Sequence, residues 1–118
     1  MYGVPADLDL HGLHGATLTQ LAIGEFQVQF RFTPETEIAV EGRWELRDRL
    51  GHMIDHAQTN AGREAYRIHQ LLGRHVVGSY VKSPVSFVLE FDSGHRLEVF
   101  DSSKEFESFS IQPGGVIV

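Results

Sequence analysis

The stretch FQVQFRF, residues 26–32, alternates apolar and polar side chains at every step. Successive side chains of a β-strand point to opposite faces, so this period of two predicts a strand with one buried face. The face expected in the core is formed by Phe26, Val28, Phe30 and Phe32. A chain with this signal must build a sheet, and much of the remaining sequence fits around that sheet.

The alternation resumes after TPETE, with an apolar side made of Ile38, Val40, Trp44 and Leu46. A slip of one residue would turn every apolar side chain outward, so the hairpin loop must have an odd length. A loop over residues 34–36 places Phe32 opposite Ile38 and Val28 opposite Gly42. Trp44 is then a core residue, and Gly42 is a gap in the apolar row that serves either packing or a ligand pocket.

A second pair of strands follows the same rule. VSFVLEF (85–91) and HRLEVF (95–100) alternate in the same way, and an odd loop over 93–95 places Asp92 opposite Arg96. Aligning Phe32 with Phe91 superimposes the first hairpin on this one, with Phe30 over Leu89 and Val40 over Val99. The sequence therefore predicts a single domain over 1–118 with an internal repeat, about 15–56 and 74–111.

The repeat breaks on the outer faces of the two units. Gln29 and Glu41 of the first unit correspond to Val88 and Phe100 of the second. An apolar outer face must be covered by the rest of the chain, or else it contacts a second copy or a partner.

Between the units, NAGREAYRIHQLLG places apolar residues at spacings of three and four: Ala61, Ala65, Ile68, Leu71 and Leu72. Asn60 suits a helix cap and Gly73 a C-terminal stop, so the segment predicts a helix over about 60–73. The expected fold is α+β, with antiparallel sheets of about six to eight strands and this central helix packed on the sheet. The helix would align a basic stripe that is either solvated or binds a phosphate or an acidic partner: Arg63, Arg67 and Arg74, beside Tyr66.

Charge and hydropathy exclude several functions. The net charge of −6 disfavours nucleic-acid binding, which requires a basic surface. The chain begins without a leader-like pattern and has no run of eighteen apolar residues, so a membrane role is not expected and the expected location is the cytoplasm. Zero cysteines exclude disulfides and thiolate metal sites.

Motifs of catalysis are weak. His52 and His56 in HMIDH have the spacing of a zinc-protease motif, but on a strand they lie too far apart to share one ion. Ser79 in GSYV lacks the second glycine of a nucleophile turn, and Glu41 with Glu45 is best explained as solvated surface. No catalytic, cofactor-binding or metal-binding residue is predicted, and enzymatic activity is not favoured.

Four segments, LTQLAIGEFQVQFRF, EGRWELRD, EAYRIHQLLG and FDSGHRLEVFDSSKEFESFSI, together resemble small bacterial families that carry a domain-of-unknown-function label. Some small α+β proteins of this appearance are immunity proteins to bacterial toxins. The resemblance implies a bacterial, cytoplasmic, single-domain protein and supplies no catalytic residues.

Three hypotheses follow. The first is a non-enzymatic protein, immunity-like or regulatory, that binds another protein through an acidic or aromatic sheet face. The second is a small-ligand binder or enzyme with a cavity between sheet and helix, near Gly42, Trp44 and Tyr66. The third is a homodimeric structural module joined through Val88 and Phe100.

Overall fold

The computed structural model describes residues 10–24, 27–57, 67–83, 85–101, 109–112 and 116–117. Across these ranges the chain is mostly β-structure, with short 3-10 turns at His11–Leu13 and Ile68–Leu71 and no α-helix. The strands within these ranges are β1 (Thr17–Ile23), β2 (Val28–Thr33), β3 (Thr36–Val40), β4 (Trp44–Arg47), β5 (Met53–Ala57), β6 (Val76–Ser83), β7 (Ser86–Phe91), β8 (Arg96–Phe100), β9 (Phe109–Gln112) and β10 (Val116–Ile117).

The strands form two antiparallel sheets. The first sheet has the order β1-β2-β3-β9-β10 and the second has the order β5-β4-β8-β7-β6. Alternate residues of both sheets build a single apolar cluster, whose fully buried members include Phe30, Ile38, Trp44, Phe87 and Leu97. The prediction of an α+β fold was therefore wrong, whereas the antiparallel strand pairing it assumed is present.

The predicted central helix is absent from the part of its range that the structure describes; residues 60–66 lie outside that part. Ile68 and Leu71 are buried, and their spacing of three suits a single 3-10 turn. The backbone N–H groups of Arg67 and Ile68 both donate to the Asp55 carboxylate, which fixes the start of this turn from β5. Leu72 is already extended, and Gly73 turns away with φ of 82°.

Both hairpins are displaced by two positions from the predicted registers. Phe30 pairs with Ile38 in the first hairpin, and Leu89 pairs with Leu97 in the second. Every side chain keeps its predicted face, because a shift of two preserves parity. Parity cannot distinguish registers that differ by two, which here move each loop by one residue along the chain. Local turn hydrogen bonds such as Gly94 N–H to Phe91 O accompany the observed register.

Gly42 lies at the crossing between the two sheets. The apolar row predicted as one strand is divided, since β3 ends at Val40 in the first sheet and β4 begins at Trp44 in the second. Val28 consequently pairs with Val40, not with Gly42. The gap in the apolar row is therefore the buried point where the chain changes sheet.

The halves β1–β5 and β6–β10 have the same construction. Each starts with a three-stranded meander and continues with two strands that join the other half's sheet: β4 and β5 extend β8, and β9 and β10 extend β3. The registers match as well, since Val40 pairs with Phe109 just as its repeat equivalent, Val99, pairs with Trp44. Gene duplication remains a prediction, with which this strand order agrees.

Candidate functional site

The outer surface of the second sheet concentrates charged side chains. We call the charged face the set of side chains that lies opposite the core on β4, β8, β7 and β6, together with Arg43, which precedes β4. The set is Arg43, Glu45, Arg47, Tyr80, Lys82, Val88, Glu90, Arg96, Glu98 and Phe100. The strands alternate, so Leu46 and Leu97 enter the core while Glu45 and Glu98 turn outward.

Two carboxylates stand side by side at the centre of the charged face. Glu45 of β4 is the direct cross-strand neighbour of Glu98 on β8, and their side chains are only 9% and 11% exposed. Like charges in this position repel each other, and their partial burial removes the water that would screen them. A structural or functional gain must offset that cost. We refer to them below as the carboxylate pair.

Basic side chains neutralise the carboxylate pair. Arg47 Nη2 lies 3.2 Å from Glu45 Oε1, and Arg43 Nη2 binds the other oxygen of Glu45. Lys82 Nζ on β6 reaches Glu98 Oε1 at 3.2 Å. Arg43 also stacks over the Phe100 ring, with its guanidinium carbon 4.2 Å from the ring centroid. The cations are thus held in fixed positions by the acids between them.

Three of the cations lie nearer the solvent than the carboxylate pair. Arg47, Lys82 and Arg96 have side chains that are 40%, 55% and 46% exposed, several times more than the carboxylate pair. With Tyr80 and the carboxylate pair they line a depression of about 70 Å³ on Val88, which is only 2% exposed and lies outside the core cluster. A solvent-facing layer of cations therefore surrounds a shallow apolar base.

The net charge of the charged face differs in sign from the net charge of the whole chain. The charged face holds four cations (Arg43, Arg47, Lys82, Arg96) and three carboxylates (Glu45, Glu90, Glu98), which leaves one net positive charge, whereas the whole chain carries −6. The net charge of the charged face is therefore opposite in sign to that of the whole chain.

The equivalent surface of the first sheet is different in chemistry. The Glu98–Glu45 pairing of β8 with β4 corresponds in register to Ala39–Ser110, where β3 pairs with β9. The Tyr80–Val88 pairing likewise corresponds to Ala22–Gln29. The same backbone arrangement forms with small neutral residues, so the fold itself does not require a buried carboxylate pair.

One cross-strand ion pair occurs in both sheets with its polarity reversed. Arg31 Nε lies 3.0 Å from Glu37 Oε1 in the first sheet, and Arg96 Nε lies 3.8 Å from Glu90 Oε2 in the second. The repeat alignment places Arg31 over Glu90 and Glu37 over Arg96. The first pair is therefore a matched reference for the second.

The predicted surface residues are distributed over several environments. Trp44 is fully buried in the core and Gly42 is buried at the sheet crossing, while Val88 and Phe100 belong to the charged face. Tyr66 and Arg63 lie outside the described residues. Arg67 donates to the Ile54 carbonyl at 3.0 Å and Arg74 is exposed, and without a helix at 67–73 these two do not form the predicted stripe.

The residues that sequence reasoning missed are those of the depression: Glu45, Arg47, Tyr80, Lys82, Arg96 and Glu98. Glu45 was interpreted as solvated surface because its partner, Glu98, is distant in sequence and becomes adjacent only through the exchange of β4 between the halves. The repeat contained a usable signal. Aligning the two units places Glu98 over Ala39, which marks a charged position that the fold does not need.

Histidines make isolated polar contacts elsewhere. His14 Nε2 lies 2.9 Å from Ser79 Oγ, and His75 Nδ1 lies 2.6 Å from Thr17 Oγ1, in both cases at exposed positions. Among the residues that the structure describes, no group of three or more acidic or histidine side chains is arranged to hold a metal ion. These contacts join the start of β1 and the segment before it to β6 and to His75, near the antiparallel bridge of Thr17 with His75.

Comparison with protein-family models, with curated proteins and with solved structures finds no match to this chain. Within the described residues, none of the helical segments has the length and apolar character needed to cross a lipid bilayer.

Proposed function

We propose that this protein binds another protein through the charged face of its second sheet. The observation that supports the proposal is the carboxylate pair, Glu45 with Glu98, whose equivalents in the first sheet are Ser110 and Ala39. A feature that is costly to bury, and that the same fold omits at the equivalent positions of its other sheet, is best explained by a contact made outside the chain.

The composition of the charged face suits protein recognition. Arginine and tyrosine supply much of the binding energy at protein interfaces, and the face presents Arg43, Arg47, Arg96 and Tyr80. Glu45 holds two of these arginines in place, which lowers the side-chain entropy that would be lost when a partner binds. Positive charge on an acidic chain favours a partner with an acidic contact surface.

The partner is a different protein and not a second copy of this chain. The homodimer hypothesis depended on an apolar contact through Val88 and Phe100. Long polar side chains cover Val88 within the chain, and the Arg43 guanidinium covers the Phe100 ring. A second copy would also bring its own cationic surface against this one, which opposes self-association.

Site-specific photo-crosslinking in the native host tests the proposal. A p-benzoylphenylalanine crosslinker replaces Tyr80 on the charged face, and in the matched control it replaces Ala22, the equivalent position of the first sheet. We expect one acidic protein to be captured from position 80 and not from position 22. The purified partner must then bind the unmodified chain, and unmodified chain must compete with the crosslink.

Three results would reject the proposal. The first is the absence of any protein captured from position 80. The second is capture of the same proteins from both positions. The third is a captured protein that shows no binding to the unmodified chain by titration calorimetry.

A further inference from the structure

We infer that the depression on Val88 is a subsite for a single carboxylate, supplied by an aspartate or glutamate side chain of the partner. The inference rests on the proposed function for the source of that carboxylate. Its residues are the three exposed cations and the tyrosine of the rim: Arg47, Lys82, Arg96 and Tyr80.

The layering of charge determines the sign of the ligand. The carboxylate pair lies beneath, while Arg47, Lys82 and Arg96 are several times more exposed above it. A group that enters from solvent therefore meets guanidinium and ammonium N–H donors first. Lysine ammonium carries three such donors, and Lys82 directs one of them to Glu98.

The net charge of the depression determines the charge of the ligand. Its lining contains three cations and two carboxylates, and Arg96 also pairs with Glu90 at the edge, as Arg43 does with Glu45. With these two neighbours the count is four cations and three carboxylates, which leaves one positive charge for the ligand to neutralise. A carboxylate carries one negative charge and accepts two parallel hydrogen bonds from a guanidinium. A phosphate would bring up to two negative charges close to Glu45 and Glu98, so a carboxylate is the better match.

The size of the depression agrees with a side-chain terminus. Its volume of about 70 Å³ is far below the several hundred Å³ of a typical small-molecule pocket. Tyr80 lines the depression and is exposed, and its hydroxyl group can donate a further hydrogen bond.

Solution NMR of the full chain tests the subsite with defined probes. The titrants are a blocked Gly-Glu-Gly peptide, its Gly-Gln-Gly counterpart and inorganic phosphate, each at constant ionic strength. We expect the glutamate peptide to shift resonances of Tyr80, Lys82 and Arg96, and the glutamine peptide to leave them unchanged. Trp44 fluorescence, which reports on the core of the same sheet, should remain constant.

A pair of variants completes the experiment. Lys82→Gln removes a cation of the depression, and Arg31→Gln makes the same change of charge on the first sheet. Lys82→Gln should weaken binding of the glutamate peptide by about tenfold, as expected for the loss of one charge-assisted hydrogen bond. Arg31→Gln should leave the affinity for this peptide unchanged.

Three outcomes overturn the inference. They are equal shifts from the glutamate and glutamine peptides, equal effects of the two variants, or saturation of the same residues by phosphate at lower concentration than by the glutamate peptide. Binding of the glutamate peptide without any crosslinked partner at position 80 would instead support the subsite and reject the proposed protein-binding function.

Discussion

At the scale of single residues, Glu98 is a side chain that the fold accommodates but does not require for its stability. It repels its neighbour Glu45, and it forms an ion pair with the exposed ammonium of Lys82. Because ion pairs with exposed groups contribute about 0–1 kcal/mol, we expect Glu98→Ala to change the free energy of unfolding by less than about 1 kcal/mol. Urea unfolding followed by Trp44 fluorescence measures this change.

The same variant should weaken partner binding, because Lys82 loses the acceptor that positions it. A loss of stability above about 2 kcal/mol would instead indicate that the carboxylate pair is structural. In that case the comparison with Ala39 of the first sheet would no longer argue for a contact outside the chain.

Gly94 illustrates a residue that the backbone does require. Its φ of 90° favours glycine, and a Cβ built there would lie 2.6 Å from the Cβ of Arg49. Gly94→Ala should therefore destabilise the chain by about 1–3 kcal/mol. Gly12→Ala is the control, since an added Cβ at Gly12 meets nothing within 4 Å. Thermal unfolding of both variants measures the difference in stability between them. Equal melting temperatures would contradict the expected strain at Gly94.

Asp48 makes stability depend on pH. Its carboxylate accepts hydrogen bonds from the backbone N–H groups of His52 and Leu50, both at 2.9 Å, and the bond from His52 is the main cause that lowers the pKa of Asp48. A folded pKa below the unfolded value of about 3.9 gives stability that is present above that value and is lost as pH falls through the folded pKa.

Asp48→Asn removes this titration. The difference in unfolding free energy between the original chain and the variant should be constant near neutral pH and should shrink as pH falls below about 4. Denaturant unfolding at a series of pH values measures it. A difference that stays constant down to pH about 2 would show that Asp48 has no role in the pH dependence.

At the scale of elements, strand faces were predictable and chain crossings were not. Alternation assigned Phe30, Val40, Trp44 and Leu46 to the core, and all four are buried. Alternation depends on local geometry alone, so it is readable from one segment. The division of the predicted strand at Gly42 depends on which sheet each part joins, and that choice is made by partners far away in sequence.

The helix prediction failed for a related reason. The spacings of three and four around Ile68 and Leu71 fit either an α-helix or a single 3-10 turn between strands. Asp55, on β5, accepts the two backbone N–H groups at the start of that turn. This contact between distant residues has no signature in the segment 60–73 itself, so helical periodicity was the stronger signal in the sequence.

At the scale of the whole molecule, the exchange of strands joins the two halves. Phe109 of the second half pairs with Val40 in the first sheet and packs edge-on against Phe87 of the second, with ring centroids 5.0 Å apart. Neither sheet is complete without strands from the other half. The halves should therefore unfold together and not as separate units.

Phe109→Ala tests this cooperativity. The loss of a buried phenylalanine should cost about 3–5 kcal/mol. Hydrogen exchange should then show reduced protection of β2 and of β7 by the same amount, although only the first sheet contains the substituted strand. Reduced protection confined to the first sheet would contradict the interlocked arrangement.

The same pseudo-symmetry makes one side of the molecule a reference for the other. Most of the depression could not be predicted, because Glu45, Lys82 and Glu98 come from three strands that meet only after folding. Some of the difference between the two sheets is visible once the halves are aligned in the observed registers. Glu98 then occupies the position equivalent to Ala39, and Tyr80 occupies the position equivalent to Ala22.

The dissociation constant of the complex with the purified partner tests the charged face most directly. Arg96→Glu and Arg31→Glu reverse one charge each within equivalent cross-strand ion pairs of the two sheets, at side chains 46% and 42% exposed. We predict that Arg96→Glu weakens binding at least about thirtyfold, the size expected of an interface hot spot, and that Arg31→Glu leaves it within about threefold. Equal effects of the two substitutions on the dissociation constant would contradict binding through the charged face.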